Sequence, residues 1–544
     1  MSKLVYLMRG LPGRGKSHTA RRLAGAEGMS DTYTVDVNFD LLPHPPDQRS
    51  PSMTRLLFIC LLIAYISASA AEADWPQFRG PNGSGVATDS SPPIEFGPEN
   101  NLLWRLELQS GHSSPVVSGD LIFLTTFDPK RKQLSVVAID RHRGTIRWER
   151  AVAPKEIERG HPSFNPASST PVTDGERVVA YFGSYGLICF DLEGNPQWEL
   201  PLPLTKSYAG NAISPIIVGD KVILYRGNYV DHFLLAVDKR TGKELWKTPQ
   251  SEPFHPELAC TAIPIVQDDL LVLHGARSVQ GFDLETGQQR WITKCATTAT
   301  STPLIARGRV IVAAWNKMGE PALRPEFPTF DKLVADHDAN SDGVIQQPEF
   351  PRLWIFHRPE GAEAPQNGAT IGFRNVDQNK DGKIAADEWR RQLRDLERFR
   401  RGYQNHGLLS LPTDRGGVLA NDEVITLETQ GIPEVPSPIS DGRYVYLVKN
   451  GGQVTCIDLE SGERVYRKRT GGSGTHYASP IIAAGHLYIA DGNGRIVVMT
   501  LGASADIVAT NEMGESVYAT PAISGDCLYL RTHSALYAFR ERNP

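Results

Sequence analysis

One phrase recurs along this chain and constrains its fold more than any other feature of the sequence. In each copy an Asp is followed by a Gly four residues later and by an aromatic residue eight residues later. The clearest copies are AIDRHRGTIRW (138–148), AVDKRTGKELW (236–246), GFDLETGQQRW (281–291) and CIDLESGERVY (456–466). Glycine supplies the positive φ that a tight hairpin turn needs, and the aromatic residue packs from the returning strand. The phrase therefore predicts a repeated β-hairpin.

A set of prolines gives the number of repeats. Each follows Ser, Thr or Ile and precedes an apolar run; the set is Pro115, Pro171, Pro215, Pro264, Pro303, Pro438, Pro480 and Pro521. Neighbouring prolines are 39 to 56 residues apart, except for a gap of 135 residues between Pro303 and Pro438. Short strands repeated at this period are typical of propeller blades. The sequence predicts an all-β, eight-bladed β-propeller with an insertion in blade five.

These phrases resemble the PQQ-like (pyrroloquinoline-quinone-like) repeat family from about Asp74 to Arg540. The segment DWPQFRGPNGSG (74–85) looks like the start of exported members of that family. The strand-like segment NLLWRLEL (101–108) precedes the first repeat, whereas the last repeat lacks a fourth strand. We expect these two ends to close the ring together, with Trp104 in the position that Trp148 takes in the next blade, because unpaired edge strands invite aggregation.

The insertion carries the strongest chemical signal. DANSDGVIQQPE (338–349) and DQNKDGKIAADE (377–388) both match the twelve-residue calcium loop of an EF-hand. The predicted oxygen ligands are Asp338, Asn340, Asp342, Val344 (carbonyl), Gln346 and Glu349 in the first loop, and Asp377, Asn379, Asp381, Lys383 (carbonyl) and Glu388 in the second. Ile345 and Ile384 are expected to join the loops through a short β-bridge. We predict a small α-helical EF-hand pair at 317–416 that binds two calcium ions.

Two incompatible signals precede the repeats. GLPGRGKS (10–17) fits a phosphate-binding P-loop, in which Gly10, Gly15, Lys16 and Ser17 would contact a nucleotide. Residues 1–52 are too few to complete a nucleotide-binding core, so we interpret them as a remnant outside the mature protein and expect no ATP binding. Residues 53–73 have the basic start, apolar run and small residues of a cleavable signal peptide. The alternative is a signal-anchored fusion that keeps the first segment.

The signal peptide predicts an exported protein, periplasmic or secreted, with no stable membrane span after cleavage. Its propeller would occupy 74–316 and 417–544. A net charge of −5 provides no basic field for phosphates, which argues against nucleic acid as a partner. Five cysteines follow the signal peptide, and none forms a CxxC motif: Cys189, Cys260, Cys295, Cys456 and Cys527. We expect them to be small buried residues, and the sequence leaves their disulfide state open.

Three functions remain open at this point. The preferred one is a non-catalytic binding or scaffold propeller, in which the EF-hands stabilise or gate a contact surface for protein or cell-envelope partners. The resemblance also admits a PQQ-dependent alcohol-type dehydrogenase, although its adjacent-cysteine pair is absent and no catalytic or quinone-binding residue can be assigned. The third is a partner-binding propeller like those of outer-membrane assembly. For a small ligand, the predicted channel-mouth residues are His112, Asn211, His476 and Tyr477.

Overall fold

The computed structural model describes residues 74–542, apart from 251, 253–257, 260, 318–319, 321–322, 359–366, 402–404 and 473. The P-loop and signal-peptide predictions fall outside the described residues, as does Cys260. Among the helices in the described ranges, none is long and apolar enough to cross a bilayer.

Eight antiparallel sheets form the blades, and each inner strand directly follows one of the eight predicted prolines. The strands of blades one to four are, blade by blade, Val116–Ser118, Leu121–Asp128, Gln133–Asp140 and Thr145–Val152; Val172–Thr173, Arg177–Phe182, Gly186–Asp191 and Pro196–Pro201; Ile216–Val218, Lys221–Arg226, Phe233–Asp238 and Glu244–Pro249; Ile265–Gln267, Leu270–Gly275, Ser278–Asp283 and Gln289–Lys294. The short strand Gly417–Val418 adds in parallel to the outer edge of blade four.

Blades five to eight complete the ring. Their strands are Leu304–Ala306, Arg309–Ala314, Gly407–Pro412 and Ile425–Glu428; Ile439–Ser440, Tyr444–Lys449, Gln453–Asp458 and Arg464–Arg469; Ile481–Ala483, His486–Ala490, Arg495–Thr500 and Ile507–Glu512; Ala522–Ser524, Cys527–Arg531 and Ala535–Phe539 with Leu102–Glu107. The inner strands of blades eight and one contact each other. The predicted eight-bladed propeller is therefore confirmed.

Blade stacking explains the burial pattern along the strands. Middle strands are covered on both faces by neighbouring sheets, so Lys221–Arg226 is buried along its whole length. Outer strands have one face toward solvent, and Leu102–Glu107 accordingly alternates between half-buried and exposed residues. The apolar side chains between adjacent sheets form a series of cores around the ring.

The ring closes as predicted. Leu102–Glu107 pairs antiparallel with Ala535–Phe539 and supplies the outer strand of blade eight. Trp104 Nε1 donates to the carbonyl of Arg141 in blade one at 2.9 Å. Trp148 Nε1 makes the matching bond to the carbonyl of Leu192 at 2.7 Å. Trp104 thus docks blade eight on blade one as Trp148 docks blade one on blade two.

The insertion leaves blade five after its second strand and returns in its third. Ala314 and Gly407 are paired across those strands, so the two ends of the insertion lie side by side. The return strand Gly407–Pro412 begins ten residues before the predicted boundary at 417. The predicted end of the insertion at 416 is therefore too late, and Gly417–Val418 pairs with the outer strand of blade four.

Inside the insertion, helices alternate with β-structure. The helices are α1 (Phe330–His337), α2 (Phe373–Val376) and α3 (Ala386–Arg401). A hairpin, Leu353–Arg358 with Asn367–Ile371, stands between the two loops. The insertion predicted as a small α-helical pair therefore also contains a β-hairpin. The reason is local: Pro348 lies in a single 3-10 turn, Gln347–Glu349, and Pro351 follows it, so no α-helix continues from the first loop.

Candidate functional site

A collar of side chains surrounds the channel, at the residues just before the strand prolines. Its members are Ser114, Thr170, Ser214, Ile263, Thr302, Ser437, Ser479 and Thr520. The backbone N–H of one member donates to the hydroxyl of the member in the next blade in six steps: Ser114 to Thr170, Thr170 to Ser214, Ile263 to Thr302, Thr302 to Ser437, Ser437 to Ser479 and Ser479 to Thr520, at 2.9 to 3.2 Å. Ile263 has no hydroxyl to offer Ser214. The collar links blades while lining the channel.

The segment 74–87 crosses the channel on one side of the collar. Trp75 exchanges backbone hydrogen bonds with Val117 of blade one at 2.9 Å. The segment then contacts inner strands or collar loops of three more blades. The N–H of Thr173 donates to Pro76 O, Arg79 Nη2 donates to Pro438 O, and the N–H of Ile482 donates to Gly85 O. Phe78, between these anchors, lines the central cavity. The segment therefore forms a floor, and the channel is a cup.

The predicted mouth residues divide into two pairs. His112 and Tyr477 line the cup, and both rings pack edge-on against Tyr518, with centroids 4.8 and 5.0 Å away. Burial and the charge of Arg531 lower the pKa of His112 to about 3. The structure places Asn211 and His476 outside the lining. Both are buried: Asn211 donates to Ser169 Oγ at 2.9 Å, and the His476 N–H donates to Asn450 Oδ1 at 2.7 Å.

The cup encloses about 750 Å³, a volume typical of small-molecule sites. Its described lining includes 13 Ser or Thr residues and nine aromatic or His residues, but only two residues charged at neutral pH, Lys317 and Glu434. PQQ carries three carboxylates and would need cationic partners, and a calcium ion beneath it would need several oxygen ligands. One ammonium and one carboxylate do not meet that requirement, so the described lining of the cup does not fit the quinone.

The two predicted calcium loops share one hydrogen-bond pattern. In the first, Glu349 accepts from the N–H groups of Ala339 and Gln346 at 3.2 and 2.9 Å, while Asp338 accepts from Gly343 at 2.8 Å. The second loop repeats all three bonds at equivalent positions, from Gln378 and Ala385 to Glu388 and from Gly382 to Asp377, at 3.1 to 3.2 Å. Ile345 pairs with Ile384 between the loops. The two loops thus have the same backbone form.

The loops differ in burial. Asp377 and Glu388 of the second loop are 7% and 5% exposed, whereas the first loop is more open. Asp377 Oδ1 is a buried oxygen with no hydrogen-bond donor. In the first loop Asp342 accepts from Gln346 Nε2 at 2.9 Å and lies 3.7 Å from Lys383 Nζ. Within the described ranges, no three His, Cys, Asp or Glu side chains already converge on one point as metal ligands.

A buried polar cluster joins the two ends of the insertion. Trp315 Nε1 donates to Glu320 Oε2 at 2.5 Å, and His406 Nε2 lies 4.0 Å from the same oxygen. Burial lowers the pKa of His406 to about 4, so its ring is neutral at pH 7. Sequence reasoning missed this cluster, because Glu320 and His406 lie at opposite ends of the insertion and no motif links them.

The described cysteines match expectation. Cys189, Cys295, Cys456 and Cys527 are buried, and none of these four forms a disulfide within the described residues. Burial raises the pKa of the Cys189 thiol to about 12, which keeps it protonated and unreactive at neutral pH. These residues act as small apolar side chains.

The fold and the cup define a PQQ-like eight-bladed propeller. Residues 97–230, 230–324 and 422–543 match the family described as outer membrane protein assembly factor BamB. Because these segments make up more than half of the sequence, the chain belongs to that family.

Two curated relatives carry the same description. The Burkholderia pseudomallei (strain K96243) protein is 25% identical over 209 residues, which are 36% of this chain and 48% of the relative. The Yersinia pestis protein is 24% identical over 306 residues, which are 54% of this chain and 66% of the relative. The chain thus spans about half of the first relative.

Solved structures with a similar fold include BamB from Moraxella catarrhalis, with 12% identity, a TM-score of 0.47, and coverage of 81% of this chain and 99% of that one. Another is a europium-containing methanol dehydrogenase, with 13% identity, a TM-score of 0.46, and coverage of 86% and 98%.

Proposed function

We propose that this chain is an exported, calcium-binding propeller that acts as a non-catalytic binding module for protein partners in the cell envelope. The observation that carries the calcium part is the shared pattern of the two loops, in which Glu349 and Glu388 each accept the backbone N–H groups of the second and ninth loop positions. The partner part is supported by the family, whose relatives are described as outer membrane protein assembly factors.

The second loop provides the stronger argument for a cation. A buried carboxylate oxygen without a donor costs free energy unless a positive partner compensates it. Asp377 Oδ1 is such an oxygen, and it stands at the first ligand position of a loop whose last position is the buried Glu388. Calcium accepts hard oxygen ligands with flexible geometry and would satisfy this oxygen. Outside the cytoplasm weak sites suffice, so calcium would stabilise the module.

The cup supports binding rather than catalysis. Glu434 is the single carboxylate among the described lining residues, so the lining offers no carboxylate pair for acid–base work. The lowered pKa of His112, about 3, keeps that imidazole neutral and makes it a poor base. We therefore assign the cup to recognition.

Calcium binding is tested by isothermal titration and thermal melting of the mature protein. We expect two binding events in wild type and a calcium-dependent rise in Tm that is lost in Glu349→Gln plus Glu388→Gln. A site at a hundredfold excess of calcium over Kd contributes about 2.7 kcal/mol. The matched control changes two exposed acids of blade turns, Glu193→Gln plus Glu460→Gln, and should keep the response. An equal rise in all three proteins would refute EF-hand binding.

Partner binding is tested by site-specific photo-crosslinking in the native envelope. Tyr208 stands at the rim of the cup and is 60% exposed, whereas Val418 lies at the outer edge of blade four and is 79% exposed. Discrete protein adducts should form from position 208 and not from 418. Dye-linked alcohol oxidation after addition of PQQ and calcium would instead establish the dehydrogenase alternative and overturn the non-catalytic role.

A further inference from the structure

The chemistry of the cup indicates what it can bind. Hydroxyl and aromatic side chains make up most of its described lining, and Phe78 closes its floor. Lys317 is engaged with an aromatic ring, since its Nζ lies 5.2 Å from the centroid of Phe356. A site with hydroxyl donors, aromatic faces and almost no net charge favours an uncharged ligand with many oxygen acceptors and an apolar face. A sugar ring combines these properties.

Six hydroxyl groups of the collar can still donate a hydrogen bond to a ligand. In Thr170, Ser214, Thr302, Ser437, Ser479 and Thr520 the oxygen accepts a backbone N–H from the neighbouring blade. All six side chains are 1 to 3% exposed. Among the described residues none accepts a hydrogen bond from these six O–H groups, and all six residues line the cup. A buried hydroxyl that has used one lone pair can still donate, so the collar offers donors toward the axis.

Three tyrosines, Tyr208, Tyr477 and Tyr518, add aromatic rings to the lining of the cup. Tyr208 is 60% exposed at the rim and packs edge-on against His161, with centroids 5.7 Å apart. Across the cup, Tyr477 packs edge-on against Tyr518. An exposed aromatic ring beside a hydroxyl-lined cavity supplies the flat face on which the C–H side of a sugar can stack.

The insertion contributes to the same cavity. Phe356, Gly368 and Ala369 from the two strands of the hairpin line it. At its base the hairpin belongs to the core of the calcium module, where Ile371 packs with Ile345 and Trp389. Leu353 follows Glu349 by four residues, and Ile371 precedes Asp377 by six. The hairpin therefore begins shortly after the last ligand position of the first loop and ends shortly before the first ligand position of the second.

We propose that the cup binds a short neutral saccharide, and that calcium in the inserted loops strengthens this binding by fixing the hairpin wall. The coupling rests on the calcium binding proposed above, whereas saccharide binding itself does not. By linkage, the saccharide must raise calcium affinity by the same factor as calcium raises saccharide affinity.

The test titrates the mature protein with maltotriose, cellotriose and tri-N-acetylchitotriose, with trigalacturonate as the acidic comparison, in calcium and in EGTA. We expect saturable heat from at least one neutral trisaccharide, with a Kd about fivefold higher in EGTA, within the usual range of coupling. No saturable heat from any neutral probe, or heat from trigalacturonate alone, would overturn the proposal.

Variants separate the two claims. Tyr208→Ala plus Tyr477→Ala should weaken trisaccharide binding about tenfold, equivalent to the loss of one or two aromatic contacts. Tyr229→Ala, which removes a 46% exposed tyrosine that is not part of the lining, is the matched control. Phe356→Ala should abolish the calcium effect on trisaccharide binding while calcium still binds, and Phe356→Leu should restore part of it. If calcium changes the trisaccharide Kd by the same factor in all these proteins, the proposed role of the hairpin is refuted.

The two proposals fail in different ways. If calcium produces no heat in the absence of sugar, the proposed calcium binding is wrong, and so is its coupling to saccharide binding. The sugar titration in EGTA then tests saccharide binding in the cup by itself. If calcium binds and no neutral trisaccharide does, only the inference about the cup is wrong.

Discussion

Gly144 and Trp104 fit against each other where blade eight meets blade one: a Cβ placed on Gly144 would lie 2.4 Å from Cδ2 of the Trp104 indole. The same contact recurs between Gly194 and Trp148 at 2.7 Å. The glycine of the recurrent phrase therefore has a second role beyond its φ of 63°, since it leaves room for the tryptophan of the preceding blade. The aromatic residue and the glycine of the phrase act across a blade boundary.

Gly144→Ala should weaken closure of the ring. Gly119→Ala is the matched control, because Gly119 has a similar φ of 53° but nothing within 4 Å of its Cβ position. The control should cost about 1 to 2 kcal/mol for left-handed backbone alone. Gly144→Ala should cost about 1 to 3 kcal/mol more, since the indole must move. Urea unfolding measures the loss of stability in both variants. Equal losses in the free energy of unfolding would show that the Trp104 indole can move aside at no cost.

Removing one collar hydroxyl should destabilise the propeller. Thr302→Val keeps the shape but leaves the buried N–H of Ile263 without its acceptor. The expected loss is about 1 to 3 kcal/mol in the free energy of unfolding. Thr261→Val also removes a hydroxyl from the cup lining, but one that accepts no backbone N–H of the collar, and should stay within about 0.5 kcal/mol. If the two variants lose equal stability, the collar bond is unimportant.

Asp377→Asn should affect the calcium-free and calcium-bound states in opposite directions. Without calcium the change removes a buried charge with a partnerless oxygen, so Tm in EGTA should rise. With calcium the variant loses a ligand, so the calcium-dependent rise should shrink. Asp338→Asn is the control, since both oxygens of Asp338 accept backbone N–H groups. It should lower or leave unchanged the EGTA Tm, and a rise there equal to that of Asp377→Asn would contradict this account.

His274 should make the fold sensitive to acid. Its ring is fully buried, with Nδ1 2.7 Å from the Ser301 carbonyl and Nε2 2.7 Å from Thr297 Oγ1. Burial lowers its pKa from 6.5 to about 4, against the partial opposing effect of Ser301. The unfolded chain therefore binds a proton first, and stability falls as pH drops from 6.5 toward 4, by at most about 3 kcal/mol from this residue.

His274→Gln should flatten that pH dependence of urea unfolding between pH 6.5 and 4, whatever its effect at pH 7. Gln288→Asn changes an exposed residue and neither adds nor removes a titratable group, so it should leave the slope unchanged. Identical slopes in wild type and His274→Gln would show that His274 does not titrate on unfolding in this range.

Local signals in the sequence predicted the blades well. The strand prolines and the Asp–Gly–aromatic phrase each act within one hairpin, so their spacing alone indicated eight sheets and an insertion. The strand around Trp104 was predictable because one end of the repeat array had a strand too many and the other end one too few. The calcium loops remain predictions carried by a dense local motif.

The floor and the wall of the cup were not predictable in the same way. Arg79 reaches the carbonyl of Pro438, 359 residues away, and no repeat or motif connects the two. The insertion hairpin reads as a short apolar stretch followed by a polar one, and only its packing beside the channel makes Phe356 a lining residue. His112 and Tyr477 were predicted because they are polar residues shortly before strand prolines, whereas Asn211 and His476 share that signal but are buried outside the lining.

The pairing of Leu102–Glu107 with Ala535–Phe539 joins distant parts of the chain, since the paired residues Arg105 and Tyr537 are 432 positions apart. The strand that seals the ring is therefore made early on the ribosome and must wait for the last strand of blade eight before it finds its neighbour. A chain cut short by a few residues before Phe539 would contain nearly every blade and still be left with two open edges. Synthesis of the strand that ends at Phe539, rather than the number of blades already folded, decides when the propeller closes.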